Sequence, residues 1–338
     1  PIKIASGSSE HTVEIVTDWY DGNTPSNFAI TAADSIMTIY GDVSDFSCGS
    51  NGSVLTTVDP SHNPELAMLN LFYNQLSSLD LSRNTQLVGL NCSYNHLKAI
   101  DLGHNTQLRW LNCSFNEFDS LRVDSNKQLT WLNCSYNRLT ALDLEHNSEL
   151  INLYCFFNKI DALDVGANSS LTELDCSSNR LSSLSVGSNR RLTSLVCYGN
   201  AFSRQALDDL YCSLPDRNGI AVGSIQPAKN ALAADLATVV ATNAQNATYK
   251  NWKVQYFDRN TDIATTGNYA CITTDIPSSA APKEPFSIYP NPVADVLYLS
   301  ATARTIRVYD IYGIEVAHAT DTDRVDVAHL PAGVYTVK

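Results

Sequence analysis

Between residues 66 and 200 the apolar and polar positions recur with a fixed period of 21 residues. One unit reads Leu-x-x-Leu-x-Cys-Ser-aromatic-Asn-x-Leu-x-x-Leu-Asp-Leu-x-x-Asn-x-x, and copies begin at Leu66, Leu87, Leu108, Leu129, Leu150, Leu171 and Leu192. Asn74, Asn95, Asn116, Asn137, Asn158, Asn179 and Asn200 hold strict register, as do Cys92, Cys113, Cys134, Cys155, Cys176 and Cys197. The alternation around Leu90-Asn91-Cys92 predicts one short strand per copy. It turns the first and fourth leucines, the cysteine and the next leucine inward. A single unit cannot bury its apolar side alone, so the copies must stack, their strands pairing in parallel about 4.8 Å apart. The Asn at the ninth position falls where the chain turns, and its amide can bond backbone groups that the turn would otherwise leave unpaired. A second Asn column at Asn63, Asn84, Asn105, Asn126, Asn147, Asn168 and Asn189 predicts a second turn ladder. Between the two ladders the convex side should be extended or a short strand, not a helix.

This period and pattern are the signature of a leucine-rich-repeat solenoid. A degenerate copy precedes the seven: Val43, Phe46, Cys48, Asn51, Val58, Asp59 and Asn63 fit if two residues are inserted after Asn51. The repeats therefore span 43–203. Residues 1–42 read as an N-terminal cap, with strands at 11–16 and 36–40 and a turn at Asp21-Gly22-Asn23. Such an end piece is required to cover apolar surface and strand edge. Residues 204–271 read as the C-terminal cap. It has a helix at 204–214 carrying Ala206, Leu207, Leu210, Tyr211 and Leu214, a strand at 219–225, an Ala-rich helix at 231–244 and a strand at 252–257. Residues 272–285 have linker composition. Beyond them, short strands at 296–299, 305–311, 325–327 and 334–337, with turns at Tyr312-Gly313 and Pro331-Ala332-Gly333, predict a small immunoglobulin-like β-sandwich over 286–338.

The 338 residues carry a net charge of −13. That argues against a nucleic-acid partner, because neutralising phosphates requires clustered Lys and Arg. No apolar run reaches the length of a membrane span. The chain opens Pro1-Ile2-Lys3 without an initiator Met or a signal peptide, which suggests a mature or trimmed segment. Nine cysteines are present. Six form one inward column and Cys48 holds the same place in the degenerate copy, so they are expected to pack as small hydrophobes. A metal site needs ligands that converge on a point, whereas these are spread along a line. Cys212 and Cys271 lie outside the column and are free to pair with each other in an oxidising compartment.

On such a sheet the positions between inward leucines face the concave surface. The position after the Ser column gives Tyr73, Tyr94, Phe115, Tyr136 and Phe157, and the run lapses at Ser178 and Gly199. Nearby positions add Phe72, Trp110, Trp131, Tyr154, Phe156 and Tyr198. Rigid aromatics bury large area at low entropic cost, so a ligand-binding patch along the middle of the sheet is one reading. Rings that only stabilise the ladder by stacking across strands are the other. Asn70, Asn91, Asn112 and Asn133 face the same surface and either read sugar hydroxyls and peptide groups or bond along themselves. Asp80, Asp101, Asp143 and Asp164 are expected on the opposite face as a solvated acidic edge. The seven histidines form no His-Glu-x-x-His, and no Gly-x-Ser-x-Gly or phosphate loop is present. His104 and His146 share one convex position. The expectation is a binding protein and not an enzyme, a monomer, with no metal or cofactor.

Residues 286–338, with Tyr289-Pro290-Asn291-Pro292, Asp295, Gly313 and Gly333-Val334-Tyr335, closely resemble the type A C-terminal sorting domain of the type IX (Por) secretion system of Bacteroidota, Porphyromonas among them. That family usually continues for another strand with a basic end, so the segment is expected to be truncated at Lys338. The coils resemble internalin-like leucine-rich-repeat proteins of the same phylum over residues 43–257. The resemblance implies a secreted protein attached to the outer surface of a Gram-negative cell, recognised by the secretion machinery through 286–338. It also implies a protein or glycan ligand met in adhesion, biofilm formation, host contact or virulence. A structural spacer without a specific ligand, and a carbohydrate-binding module, remain alternatives.

Overall fold

Leu87, Leu90 and Cys92 have no solvent exposure, and neither do Leu108, Leu111 and Cys113 one coil later. The computed structural model describes residues 2–6, 11–16, 27–32, 36–39, 43–49, 55–271, 288–289, 296–309, 315–330 and 335–337. The chain divides into two units, residues 1–272 and 273–338.

In the first unit the N-terminal segment supplies β1 (Ile2–Ser6), β2 (His11–Val16), β3 (Asn27–Ala32) and β4 (Ile36–Ile39), and the degenerate copy supplies β5 (Asp45–Ser47) and β6 (Leu55–Asp59). The seven coils each give one three-residue strand: β7 (Met68–Asn70), β8 (Gly89–Asn91), β9 (Trp110–Asn112), β10 (Trp131–Asn133), β11 (Asn152–Tyr154), β12 (Glu173–Asp175) and β13 (Ser194–Val196). Helix α1 (Arg204–Ser213), β14 (Gly223–Ala228), α2 (Leu236–Val240), α3 (Gln245–Thr248) and β15 (Trp252–Tyr256) follow.

One sheet runs in the order β15-β14-β13-β12-β11-β10-β9-β8-β7-β5-β2-β3, parallel from β5 to β15. Register is strict: Leu69 pairs with Leu90, Leu90 with Leu111, Leu111 with Leu132. Phe46 pairs with Leu69, so the degenerate copy is a true first coil, although Asn51 and its insertion lie outside the described residues. The convex side of that coil is β6, which joins β1 and β4 in a separate antiparallel sheet. In the next six coils the convex side is extended and turned, without helix or strand, and in the seventh α1 takes its place. Of the N-terminal expectations, the turn at Asp21-Gly22-Asn23 and Tyr40 lie outside the described residues.

The two Asn columns close each coil. Asn95 Nδ2 donates to the carbonyls of Leu71 (2.9 Å) and Cys92 (3.1 Å), and its Oδ1 accepts from the backbone N–H of Leu76 at 2.9 Å. Asn116, Asn137 and Asn158 repeat this one coil apart, bonding the cysteine carbonyls on either side. In the second column Asn105 Nδ2 donates to Leu81 O (3.1 Å) and Asn84 O (2.9 Å), a pattern that also recurs. Each side chain thus ties its own turn to the coil before it, pairing backbone groups that would be costly to bury alone.

The C-terminal cap departs from the expected element bounds for local reasons. The strand begins at Gly223, not residue 219, because Gly219 sits at φ +82 in a turn that bonds Ile220 N to Arg217 O. At Gly223 the Trp252 ring lies against the backbone; an added Cβ would come within 2.6 Å of it. Of the Ala-rich stretch 231–244 only α2 is helical and α3 follows it, since Thr242 and Asn243 between them turn their side chains onto nearby backbone. A Cys212–Cys271 disulfide ties α1 to the end of the described cap.

In the second unit β16 (Ile288–Tyr289), β17 (Val296–Tyr309), β18 (Glu315–Asp326) and β19 (Thr336–Val337) form one antiparallel sheet. The segments expected at 296–299 and 305–311 are parts of a single strand that continues through a register shift between Tyr298 and Ala303. The core holds Leu297, Ile306, Val308, Val325 and Val327. A second layer is not seen among the described residues, and the expected turns at 312–313 and 331–333 lie outside them.

Candidate functional site

The aromatic residues do not form one patch in the middle of the sheet, as the sequence suggests. They form two ladders. Tyr73, Tyr94, Phe115, Tyr136 and Phe157 lie beyond the strands, in the turn just before the Asn ladder, each with φ between 51 and 58. Ser178 (φ 54) and Gly199 (φ 66) hold the same place in the last two coils. This left-handed backbone is forced by the turn: Tyr94 N donates to Ser114 O and Asn95 N to Phe115 O, so successive coils interlock there. The side chains then line up along one edge. Ring centroids are 4.0 Å apart for Tyr94–Phe115, 3.9 Å for Phe115–Tyr136 and 4.5 Å for Tyr136–Phe157, all nearly parallel. Tyr73 meets Tyr94 edge-on at 6.1 Å. Tyr73, Tyr94 and Phe157 are 47%, 43% and 40% exposed, and they border an open groove together with Gln75, His96 and Glu117.

The second ladder stands on the strands themselves. Trp110 and Trp131 stack at 4.9 Å, and Trp131 meets Tyr154 at 5.6 Å. Met68 folds over Gly89 towards Trp110; a Cβ at Gly89 would fall 2.5 Å from the Met68 sulfur. Beyond Tyr154 the face turns acidic. Tyr154 donates to Glu173 Oε2 at 2.5 Å, and Asp175 accepts from Ser177 N (3.0 Å) and Oγ (2.7 Å). Burial, and then the Glu173 carboxylate, lift the Tyr154 phenol to about 12; burial also raises Asp175 above the ordinary carboxylate range. Phe156 takes the Ser position of its coil and packs on the first ladder, edge-on to Tyr136 at 5.4 Å and to Phe157 at 6.2 Å. Phe72 and Tyr198 occupy the same position; Tyr198 is buried and packs on Phe257 at 5.1 Å.

Sequence reasoning missed two features. One is the Met68–Gly89 contact. The other is the polar row one residue past the Asn ladder, where Glu117 pairs with His96 (3.5 Å) and Arg138 (3.2 Å), and Lys159 and Arg180 follow. The shared 21-residue spacing was the available signal. The Asn70 column does not bond along itself among the described residues: Asn70 donates to Ser47 Oγ, and Asn91, Asn112 and Asn133 accept from Ser93, Ser114 and Ser135 of their own coils. Asp80, Asp101, Asp143 and Asp164 are exposed, and each accepts from the backbone N–H two residues on. His104 and His146 are exposed. The thiols Cys48, Cys92, Cys113, Cys134, Cys155, Cys176 and Cys197 are buried and take part in no disulfide. Burial lifts Cys92 and Cys134 to about 12 and raises Cys113, Cys155, Cys176 and Cys197 likewise, which disfavours the nucleophilic thiolate at these six positions.

Residues 287–338 match the family described as the secretion system C-terminal sorting domain. A segment of this kind implies secretion and cell-surface attachment. No helix among the described residues is long and apolar enough to cross a membrane. No curated protein matches the chain. Among solved structures, the functional domain of InlJ from Listeria monocytogenes, described as including a cysteine ladder, is 24% identical over 64% of this chain and 54% of that one, with a TM-score of 0.36. Internalin C2 of the same organism is 23% identical over 50% of this chain and 77% of that one, TM-score 0.45. A leucine-rich-repeat protein of Leptospira interrogans is 21% identical over 46% and 48%, TM-score 0.39. This chain spans about half the length of the first and third of these. Likeness at that level concerns the fold alone, which the coil register displays by itself.

Proposed function

We propose that the chain is a cell-surface binding protein that engages a partner protein through its two aromatic ladders, in adhesion to host surfaces or to neighbouring cells of a biofilm. The observation that supports this reading is the run of five aromatics in left-handed backbone. A bulky residue at positive φ costs about 1–2 kcal/mol. A stacked ring pair returns about 0.5–1.5 kcal/mol. The two roughly cancel, so stability alone gives little reason to keep rings there, and Gly199 shows how a coil of this chain takes the turn without one. Large, half-exposed, rigid rings are what an interface uses.

A spacer would need neither ladder. A carbohydrate module fits less well than a protein binder, because rings stacked on one another at 3.9–4.5 Å cover the faces that a sugar would stack against. Trp110→Ala, Trp131→Ala and Tyr136→Gly, combined, test the proposal on arrays of extracellular-matrix proteins and of glycans. Saturable protein binding that falls at least tenfold, with a nearly unchanged melting temperature, supports it. Absence of saturable binding to any protein, or a collapse of stability, contradicts it.

A further inference from the structure

The ring stack stops with one face open. Phe157 lies on Tyr136 at 4.5 Å with planes 12° apart, and its other ring contact among the described residues is the edge of Phe156. On the free side the next two positions of the column are Ser178 and Gly199, in the same left-handed backbone but without rings. They lie close together, for a Cβ on Gly199 would sit 3.3 Å from Ser178 Oγ. The far end is closed by the cap: Asp235 accepts from Gly199 N at 2.8 Å, and the segment leading to it carries Leu232, 95% exposed. Along the flank, Lys159 and Arg180 are exposed, with no carboxylate within ion-pair distance among the described residues, whereas Arg138 is held by Glu117. These two cations flank the open ring face in a chain of net charge −13, with Asp235 the carboxylate at its far end.

We infer that the place above Ser178 is an open sixth rung of the stack, which receives an aromatic side chain of the partner protein, flanked on the partner by carboxylates that meet Lys159 and Arg180. This rests on the surface-binding reading and sharpens it. A ring is the fitting occupant because the column already propagates by ring-on-ring contact at one rung per coil. An aliphatic group would leave the flat face of Phe157 poorly covered. The cations select the neighbours of that ring by charge and hasten the encounter at low salt.

The full chain is titrated with the peptide Ac-Glu-Glu-(5-fluoro-Trp)-Glu-Glu-NH2 and followed by fluorine NMR. The expected result is a saturable shift that the unlabelled Trp peptide competes away. The leucine analogue should compete at least tenfold less well. Ser178→Tyr is the deciding variant, because Tyr136 already adopts the same φ and a tyrosine there fills the rung without new strain. It should weaken the peptide at least tenfold while the melting temperature holds or rises, and Lys159→Glu with Arg180→Glu should weaken it several-fold at low salt. No saturable shift, equal competition by the leucine peptide or by maltohexaose, or affinity unchanged in Ser178→Tyr would each overturn the assignment. Protein-array binding that Ser178→Tyr leaves intact but the Trp110, Trp131 and Tyr136 substitutions abolish would remove the rung and keep the surface-binding reading.

Discussion

Phe115 and Tyr136 stack with ring centroids 3.9 Å apart and planes 16° from parallel, although their backbones sit at φ 52 and φ 51. The contact and the strain come from the same turn, and they act in opposite directions on stability.

Separating them gives a first expectation. Tyr136→Gly removes both the ring and the left-handed penalty, so its denaturation midpoint should shift by no more than about 1 kcal/mol equivalent. Tyr136→Ala keeps a Cβ at positive φ and loses the stacking, and should cost about 1–2 kcal/mol. Chemical denaturation of the two variants side by side checks the order. A glycine variant less stable than the alanine variant would mean that the rings hold the solenoid together.

The Asn ladder is the opposite case. Asn116 satisfies Leu97 N and the carbonyls of Cys92 and Cys113, all buried. Asn116→Leu strands those groups and should cost about 3 kcal/mol or more. Asn91→Ala on the strand face, where the side chain bonds Ser93 of its own coil, should cost about 1 kcal/mol. Urea midpoints measure both.

The thiol column makes the fold alkali-sensitive. Burial raises Cys92 and Cys134 from 9.0 to about 12 and moves Cys113, Cys155, Cys176 and Cys197 the same way. The folded pKa lies above the unfolded one, so the contribution is complete below pH 9 and is lost as pH rises from 9 towards the folded value. Each thiol then removes about 1.4 kcal/mol per pH unit, and six remove about 8. Melting temperatures from pH 7 to 11 should be flat and then fall steeply past pH 9. The variant Cys113→Ala/Cys134→Ala/Cys155→Ala should show about half that slope.

The disulfide should act on the cap. Cys212 and Cys271 are 59 residues apart in sequence. Closing a loop of that length stabilises by roughly 4 kcal/mol in the chain-entropy view. Cys212→Ser should therefore speed hydrogen exchange in α1 and around Trp252 while the central coils keep their protection. Thiol titration in denaturant should find seven groups before reduction and nine after it.

Most of the solenoid is legible in the chain, because Leu, Cys and Asn each answer to one backbone demand that returns at every coil. Leu90, Cys92 and Asn95 are placed by that logic alone. The aromatic column is not, for a physical reason: bulky residues are rare at positive φ, so Tyr94 or Phe115 gives no hint of a left-handed turn, and Gly199 is the one sign of it in the column. The acidic end of the concave face escaped because Met68, Gly89, Trp110, Trp131, Asn152 and Glu173 share one strand position but no chemistry. The long strand β18 escaped because a polar run, Thr320-Asp321-Thr322-Asp323-Arg324, does not alternate with apolar residues until Val325.

The central claim is that the exposed ring stack is a surface for a partner and not a prop for the coils. The most direct test is Tyr94→Gly/Phe115→Gly/Tyr136→Gly, assayed for saturable binding to an array of extracellular-matrix proteins alongside its urea midpoint. The account predicts binding weakened at least tenfold at a nearly unchanged midpoint; binding equal to that of the unaltered chain, or a solenoid that no longer folds, would contradict it.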